Sequence, residues 1–343
     1  MAELVWDSRE LAAGESCIMS SLDKKYQDAV KAVNDGQLPE AERLFKKVLK
    51  TEPNNVDSLN LLTGVLMIME RHAEAEQYIA RAVSLYPKSD ASFYNYGLIS
   101  RKLGKPQQAL EQFNRALDLN AERAETWNNR GTVFMDLTQY ENAISDFDRA
   151  ISLMPNHWAA FSNKARSLSE LRRYDEALPV FDKAIALRPN FAEDWLGRGA
   201  ALYYLTRHDE ALDACDRALA LNPDLAEGWL AGGNAFSGLK RYDHALTAYD
   251  KALALRPDMP EAWFARANVF LDLKRYEEAL AACDKALAVK PDMAEAWLVS
   301  GYALAAQARY DEALAAYDKA LALNPDLAAA ETGRQHAKAQ SGG

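Results

Sequence analysis

The sequence predicts an all-α solenoid of about nine 34-residue helix-turn-helix repeats, closed by a C-terminal capping helix. Three observations predict it. Trp127, Trp195, Trp229, Trp263 and Trp297 stand 34 residues apart or at twice that distance. Pro53, Pro87, Pro155, Pro189, Pro223, Pro257, Pro291 and Pro325 keep the same period. Within each period, trios such as Trp297, Gly301, Leu304 and Ala313, Tyr317, Ala320 follow i, i+4, i+7 spacing, which places each trio on one helix face.

Taken in order, residues 1–21 precede the array and are expected to be disordered or partly helical. Glu3, Asp7 and Glu10 interrupt any apolar run there, so no export signal is read, and Met19 is an alternative start. The repeats are then 22–55, 56–89, 90–123, 124–157, 158–191, 192–225, 226–259, 260–293 and 294–327. Below, a slot is a position counted within one such unit. Each unit reads as two amphipathic helices with Ala or Gly on the inner faces, where small side chains let the backbones approach and an aromatic fills the space beside them. One hairpin cannot cover its own apolar face, so units must stack. Asp224-Leu225-Ala226-Glu227, Asp258-Met259-Pro260-Glu261 and Asp292-Met293-Ala294-Glu295 read as capping boxes, with Pro260 in the first turn, where its missing N–H is harmless. Turns such as Lys240-Arg241-Tyr242 are polar and basic. Lys25 in slot four makes the first unit degenerate, and Ser100 and Ala121 make the third irregular. Residues 328–343 read as a capping helix and tail, with Arg334, Gln335, His336 and Lys338 on a wettable outer face.

These slots carry a resemblance. Trp297, Gly301, Leu304, Ala313, Tyr317, Ala320 and Pro325 fill the pattern of the tetratricopeptide repeat, as do Trp127, Gly131, Phe134, Ala143, Phe147, Ala150 and Pro155. Cys283 takes the aromatic slot of the eighth unit. Residues 22–327 are covered. The resemblance implies a right-handed superhelix with the first helix of each unit lining a concave groove.

Composition excludes several classes. A formal net charge of −10 and a pI near 5.2 argue against nucleic acid and against an anionic membrane surface, and no window is long and apolar enough to span a bilayer. Cys17, Cys215 and Cys283 form no paired framework, which suits a reducing cytoplasm. Cys215 and Cys283 share slot twenty-four and read as core. His72, His157, His208, His244 and His336 have no second ligand at metal spacing, and no phosphate loop or nucleophile elbow occurs. The pairs Asp175-Glu176, Asp209-Glu210, Glu277-Glu278 and Asp311-Glu312 open second helices, where they favour the dipole. No catalytic residue, cofactor or metal site is read. The tryptophans read as core between paired helices.

The groove that the resemblance implies has slots two, five, six and nine facing inward. Slot six gives Asn95, Asn129 and Asn163, similar to the asparagine ladders of O-GlcNAc transferase and armadillo-type importins, and able to grip an extended backbone. A tolerated polar residue is the alternative. Farther on the slots become apolar: Leu196, Leu230, Phe264 and Leu298 at five, Asn234, Asn268 and Tyr302 at nine, and Tyr203 at twelve. This suggests a polar half followed by an apolar half suited to an amphipathic helix, with lateral packing of the Leu residues as the alternative. Glu125, Glu193, Glu227, Glu261 and Glu295 in slot two would repel the C-terminal carboxylate of a chaperone tail. Arg130, Lys164, Arg198 and Arg266 in slot seven are expected to pair with them. The expected function is a non-enzymatic adaptor binding a protein or peptide partner. Two alternatives are kept: the substrate-reading part of an O-GlcNAc-transferase-like system of bacterial type, and self-association through the end repeats.

Overall fold

The computed structural model describes residues 21–341. The expected N-terminal extension and Cys17 lie outside that range. The described residues form helices only, α1 (Ser21–Asn34) to α19 (Ala328–Ser341). From α3 (Val56–Ile68) onward the first helices begin every 34 residues: α5 (Asp90–Lys102), α7 (Ala124–Asp136), α9 (Trp158–Glu170), α11 (Ala192–Tyr204), α13 (Ala226–Gly238), α15 (Pro260–Asp272) and α17 (Ala294–Ala306). Their partners are α4 (His72–Leu85), α6 (Pro106–Leu119), α8 (Tyr140–Leu153), α10 (Tyr174–Leu187), α12 (His208–Leu221), α14 (Tyr242–Leu255), α16 (Tyr276–Val289) and α18 (Tyr310–Leu323); α1 pairs with α2 (Leu38–Thr51). The chain divides into two compact units, up to Leu171 and from Arg172, so the fifth repeat is shared between them.

The hairpins close as their small residues require. A Cβ on Gly301 would sit 2.4 Å from the Tyr317 ring, and one on Gly131 would sit 2.6 Å from Phe147. These contacts are far inside van der Waals distance, so in these repeats the position of the slot-twenty-four ring requires glycine in slot eight. Where slot twenty-four is Cys283, slot eight is Ala267, and both are buried.

Each hairpin turn uses a backbone device that its composition hid. Slot fifteen has positive φ in all nine repeats: Gly36 and Gly104, but also Glu70, Thr138, Arg172, Thr206, Lys240, Lys274 and Ala308, at φ between 57° and 60°. The bonding is that of a Schellman motif, with Lys240 N–H donating to Ser237 O at 2.8 Å and Arg241 N–H to Phe236 O at 2.9 Å. The next residue is the N-cap of the second helix. There Arg71, Arg173, Arg207 and Arg309 pair with Glu74, Glu176, Glu210 and Glu312 three residues on, at 2.6–2.7 Å, and Arg275 pairs likewise with Glu278.

The capping boxes expected at Asp224, Asp258 and Asp292 are not formed. The first helices start one residue later, and their N-caps are Leu225, Met259 and Met293, with no side-chain cap. An apolar N-cap wins because it packs: Met259 is buried against Ala252, Leu253 and Ala262. Instead the loop is fixed by Asn222 Oδ1 accepting from Asp224 N–H at 3.2 Å. Pro260 does occupy the first turn, as expected. Side-chain caps occur in the first unit, from Asn55, Ser89 and His157.

The tryptophans are also corrected. Those of repeats four and six to nine pack against the core but are not enclosed by it, each keeping a partly exposed edge. Each indole Nε1–H donates to the carbonyl six residues before it: Ala121, Pro189, Pro223, Pro257 and Pro291, at 2.8–3.4 Å. The shared period of Trp and Pro thus reflects one bond that ties each first helix to the loop before it. Helix α19 seals the second unit with Ala330 and Ala337 against Tyr317, while Gln335, His336 and Lys338 face water.

Candidate functional site

Within each unit the first helices lie on the inside of the stack. In the second unit α11 touches α13, α13 touches α15, α15 touches α17 and α17 touches α19; in the first, α5 touches α7 and α7 touches α9. Successive second helices do not pack comparably among the described residues. A row of hairpins whose first helices converge and whose second helices splay must curve toward the first helices. That makes their free face an inner wall, and the slots expected to face a partner lie on it.

In the second unit Leu196, Leu230, Phe264 and Leu298 are partly exposed at 34-residue intervals. These side chains pack laterally and stay partly exposed. Phe264 packs against Ala286 of its own hairpin and Ala296 of the next, and Leu298 against the cluster that includes Ala330 and Ala337 of the capping helix, yet each stays partly exposed. Tyr203 is half-buried in contact with the Tyr204 and His208 rings. Tyr302 is 36% exposed, lies edge-on to Tyr317 and donates its hydroxyl to Ala329 O at 3.4 Å. The two asparagines of this wall are engaged. Asn234 Oδ1 accepts from the Tyr249 hydroxyl at 2.9 Å, and Asn268 Nδ2 donates to Phe264 O at 3.1 Å.

In the first unit the asparagine row is less open than its spacing suggested. Asn95 and Asn129 are only 8% exposed. Asn129 Nδ2 donates to the buried Tyr94 hydroxyl at 2.8 Å, and Asn163 Nδ2 donates to Asn128 Oδ1 at 3.3 Å. Each bond joins slot six of one repeat to slot five of the repeat before. The row therefore staples first helices together, because two parallel polar slots at that spacing satisfy each other before any partner arrives. Asn95 Oδ1 is buried without a partner in the protein.

Three family models described as tetratricopeptide repeat match residues 122–190, residues 162–226 with 230–292, and residues 294–327, together more than half of the sequence. The chain belongs to the tetratricopeptide-repeat family. The irregular N-terminal region, residues 32–135, matches a model described as TT21 fifth ARM repeats domain. Among curated proteins, the type IV pilus assembly protein PilF of Pseudomonas aeruginosa is 37% identical over 75 residues, 21% of this chain and 30% of that protein. The match therefore spans about a third of the relative's length. Among solved structures, the Cut9–Hcn1 hetero-tetramer of the APC/C matches with a TM-score of 0.61 at 17% identity, over 93% of this chain and 64% of that one. The Pseudomonas aeruginosa PilF structure matches with a TM-score of 0.56 at 20% identity, over 62% and 97%. At these identities the two structures speak for the fold.

In this tetratricopeptide-repeat protein the slot-seven cations do not meet the slot-two glutamates. They turn to the outer side, into the furrow between second helices. Arg130 reaches both flanking helices, donating to Asn114 Oδ1 of α6 at 2.6 Å and, through two bonds of 2.7 Å, to Asp146 of α8. Lys164 pairs with Asp148 at 2.6 Å, Arg198 with Asp182 at 2.7 Å, Arg266 with Asp250 at 3.2 Å and Arg334 with Asp318 at 3.1 Å. Slot seven thus bonds slot twenty-five of the preceding repeat, 16 residues earlier. The strict period of Asp148, Asp182, Asp216, Asp250, Asp284 and Asp318 was the signal for this ladder, and sequence reasoning passed over it. Of the slot-two glutamates, Glu227 pairs with Arg256 at 2.7 Å, and Glu193, Glu261 and Glu295 are exposed along the start of the inner wall.

Burial pushes the Cys215 thiol up to about 12 and the Cys283 thiol up to about 11, and both side chains are fully buried in the core, as expected. His157 is a helix cap whose Nδ1 accepts from Ala160 N–H at 3.3 Å, and burial lowers its pKa. Among the described residues no cluster of three or more His, Cys, Asp or Glu could hold a metal ion, and no helix is long and apolar enough to cross a membrane. Sequence reasoning also missed Tyr204, 61% exposed and stacked on Tyr174 with ring centroids 4.6 Å apart. An aromatic in slot thirteen, where Asp136 and Asp272 stand in other repeats, was its only mark.

Proposed function

We propose that this protein is a non-enzymatic adaptor that holds a helical or extended protein segment against the inner wall of its second unit. The observation that carries the reading is the continuous run of first helices α11, α13, α15, α17 and α19, with partly exposed Leu196, Leu230, Phe264 and Leu298 in register along it. An apolar stripe at a fixed interval suits the apolar face of an amphipathic helix, and the exposed Glu193, Glu261 and Glu295 beside it favour a partner with basic residues flanking that face. The same glutamates disfavour chaperone C-terminal tails. Tetratricopeptide-repeat proteins serve as protein-interaction scaffolds, and the names of the similar proteins, a pilus assembly protein and a hetero-tetramer component, agree with an assembly role. In the first unit the wall is polar. There Asn163 is the member of the asparagine row that keeps partial exposure, and so the one placed to meet a partner.

The test is a photo-crosslinking scan in the native cell. A photoreactive residue at Leu230 or Leu298 is expected to trap a partner segment, whereas one at Leu221 or Leu255, exposed on the second helices, is not. Equal trapping from both faces would remove the reading.

A further inference from the structure

The inner wall of the second unit has dimensions that select its occupant. Along the wall, Leu196, Leu230, Phe264 and Leu298 stand on successive first helices that touch, and touching helices have axes about 8–10 Å apart. Seven residues of α-helix rise about 10.5 Å and return to nearly the same face, so a helix laid across the first helices meets each rung in step. An extended strand does not, because two of its residues rise about 6.7 Å and four rise about 13 Å. Across the wall, slots two and nine are seven residues apart on every first helix, again about 10.5 Å, which is the diameter of one α-helix with its side chains. Exposed Glu193, Glu261 and Glu295 line one side of that width, and Asn234, Asn268 and Tyr302 line the other.

We infer that this wall takes an amphipathic α-helix of a partner protein, laid across the first helices, with apolar residues every seventh position and basic residues along the flank that faces slot two. The inference rests on the function proposed above and narrows its partner to a helix. A polyproline-type segment, with three residues per about 9.3 Å, would also keep step with the rungs, and hydrogen bonding separates the two. A segment without internal backbone bonds must find partners for its N–H and C=O groups on the surface that covers them. The wall has little to give. Slot six, asparagine in three repeats of the first unit, is Gly197, Ala231, Ala265 and Val299 here. Asn234 Oδ1 already accepts from the Tyr249 hydroxyl, and Asn268 Nδ2 already donates within its own helix. A helix arrives with its backbone bonds made. The small, partly exposed Gly197, Ala231 and Ala265 leave dips beside the Leu and Phe ridges that receive its apolar side chains. Charge then sets which way round it lies. Glu227 is engaged by Arg256, so the partner's cations are called for at the sixth, eighth and ninth repeats, while the slot-nine flank suits polar, uncharged residues.

The experiment titrates the full-length protein against three fluorescein-labelled synthetic peptides, read by fluorescence anisotropy. The first is a helix-forming peptide with four leucines at seven-residue intervals and lysines along one flank. The second is the same peptide with two residues of its far face changed to proline, which breaks the helix and leaves every leucine and lysine in place. The third carries glutamate in place of the lysines. Each is measured on wild type and on Leu230→Gln with Phe264→Gln, checked for unchanged helicity and melting. The expected result is that the first peptide binds wild type at least tenfold more tightly than the second or the third does, and at least tenfold more tightly than it binds the variant. If the second binds wild type as tightly as the first, and both are lost in the variant, the wall holds an extended segment; the helix is then overturned while the proposed function stands. Equal binding of the lysine and glutamate peptides would overturn the charge-set orientation. Failure of the first peptide to bind wild type, or equal binding to the variant, would overturn the inference outright, and the photo-crosslinking scan decides separately whether the wall holds a partner at all.

Discussion

The left-handed turn residues give the sharpest quantitative prediction. Slot fifteen is glycine in two repeats and a side-chain-bearing residue in seven, all at similar positive φ. An L-residue in this region costs about 1–2 kcal/mol relative to the right-handed helix, and glycine escapes that cost. Glycine also gains freedom in the unfolded chain, which gives back about 0.4–1 kcal/mol. Each of Thr206→Gly, Lys240→Gly, Lys274→Gly and Ala308→Gly should therefore stabilise the second unit by about 0.5–1 kcal/mol. The sites are one repeat apart and share no partners, so their effects should add to about 2–4 kcal/mol in the quadruple variant. For a unit of this size that is a rise in Tm of roughly 5–15 °C. Thermal unfolding followed by circular dichroism measures it. The reverse change isolates the backbone: nothing lies within 4 Å of a Cβ built on Gly104, so Gly104→Ala should destabilise the first unit by about 1 kcal/mol through φ alone. Destabilisation by Lys240→Gly or Ala308→Gly, or a neutral Gly104→Ala, would refute the reasoning, because the turn would then not hold a left-handed residue in solution.

Further outcomes follow from buried polar groups. Asn129→Ala should cost the first unit about 1–2 kcal/mol, because the buried Tyr94 hydroxyl loses its donor; a double-mutant cycle with Tyr94→Phe should show coupling, and additive effects would contradict the staple. Arg130→Met should cost about 3–5 kcal/mol at neutral pH by leaving Asp146, 3% exposed, without its counter-charge. Burial raises the Asp146 carboxyl, so the folded state keeps its proton to higher pH than the unfolded chain does. The stability this confers is present at low pH and lost as pH rises through the folded value; the Arg130→Met deficit should therefore shrink in acid, which denaturant melts at pH 4 and pH 7 will show. His157 behaves oppositely: its lowered pKa means the cap is intact above the usual histidine range and is lost as pH falls through the folded value. Wild type should therefore lose stability in mild acid relative to His157→Asn, whose cap does not titrate. The buried Cys215 and Cys283 thiols should react with a disulfide reagent only at the rate of unfolding, and fast native-state modification at either would contradict the core described here.

How far the sequence was legible depended on whether a residue's role follows from its own period. Gly131 with Phe147 and Gly301 with Tyr317 are packing pairs set by helix geometry, so their spacing alone places them. The capping box failed at Asp258 because Met259 is buried as the N-cap and its burial outweighs one side-chain bond, and no local pattern ranks those two energies. Lys240 and Ala308 carry no mark of left-handed backbone, since the motif's two backbone bonds and the packed hairpin impose it against their preference. The asparagine row was visible, but not its use: whether Asn129 faces a partner or Tyr94 depends on the offset between neighbouring repeats, which only the stacked structure fixes. The slot-seven cations were paired with the wrong acids for the same reason. The true partner of Arg198 lies 16 residues back on another helix rather than along its own helix face.

The central claim is that the inner wall of the second unit is where a partner is held. It is tested most directly by comparing, in affinity capture from the native cell with quantitative mass spectrometry, wild type, Leu230→Gln with Phe264→Gln, and the outer-face control Leu255→Gln, all three first checked for equal helicity and melting. The account predicts that the inner pair loses its specific partners at least tenfold while the outer control keeps them. Recovery of the same partners at the same strength by the inner pair would contradict it.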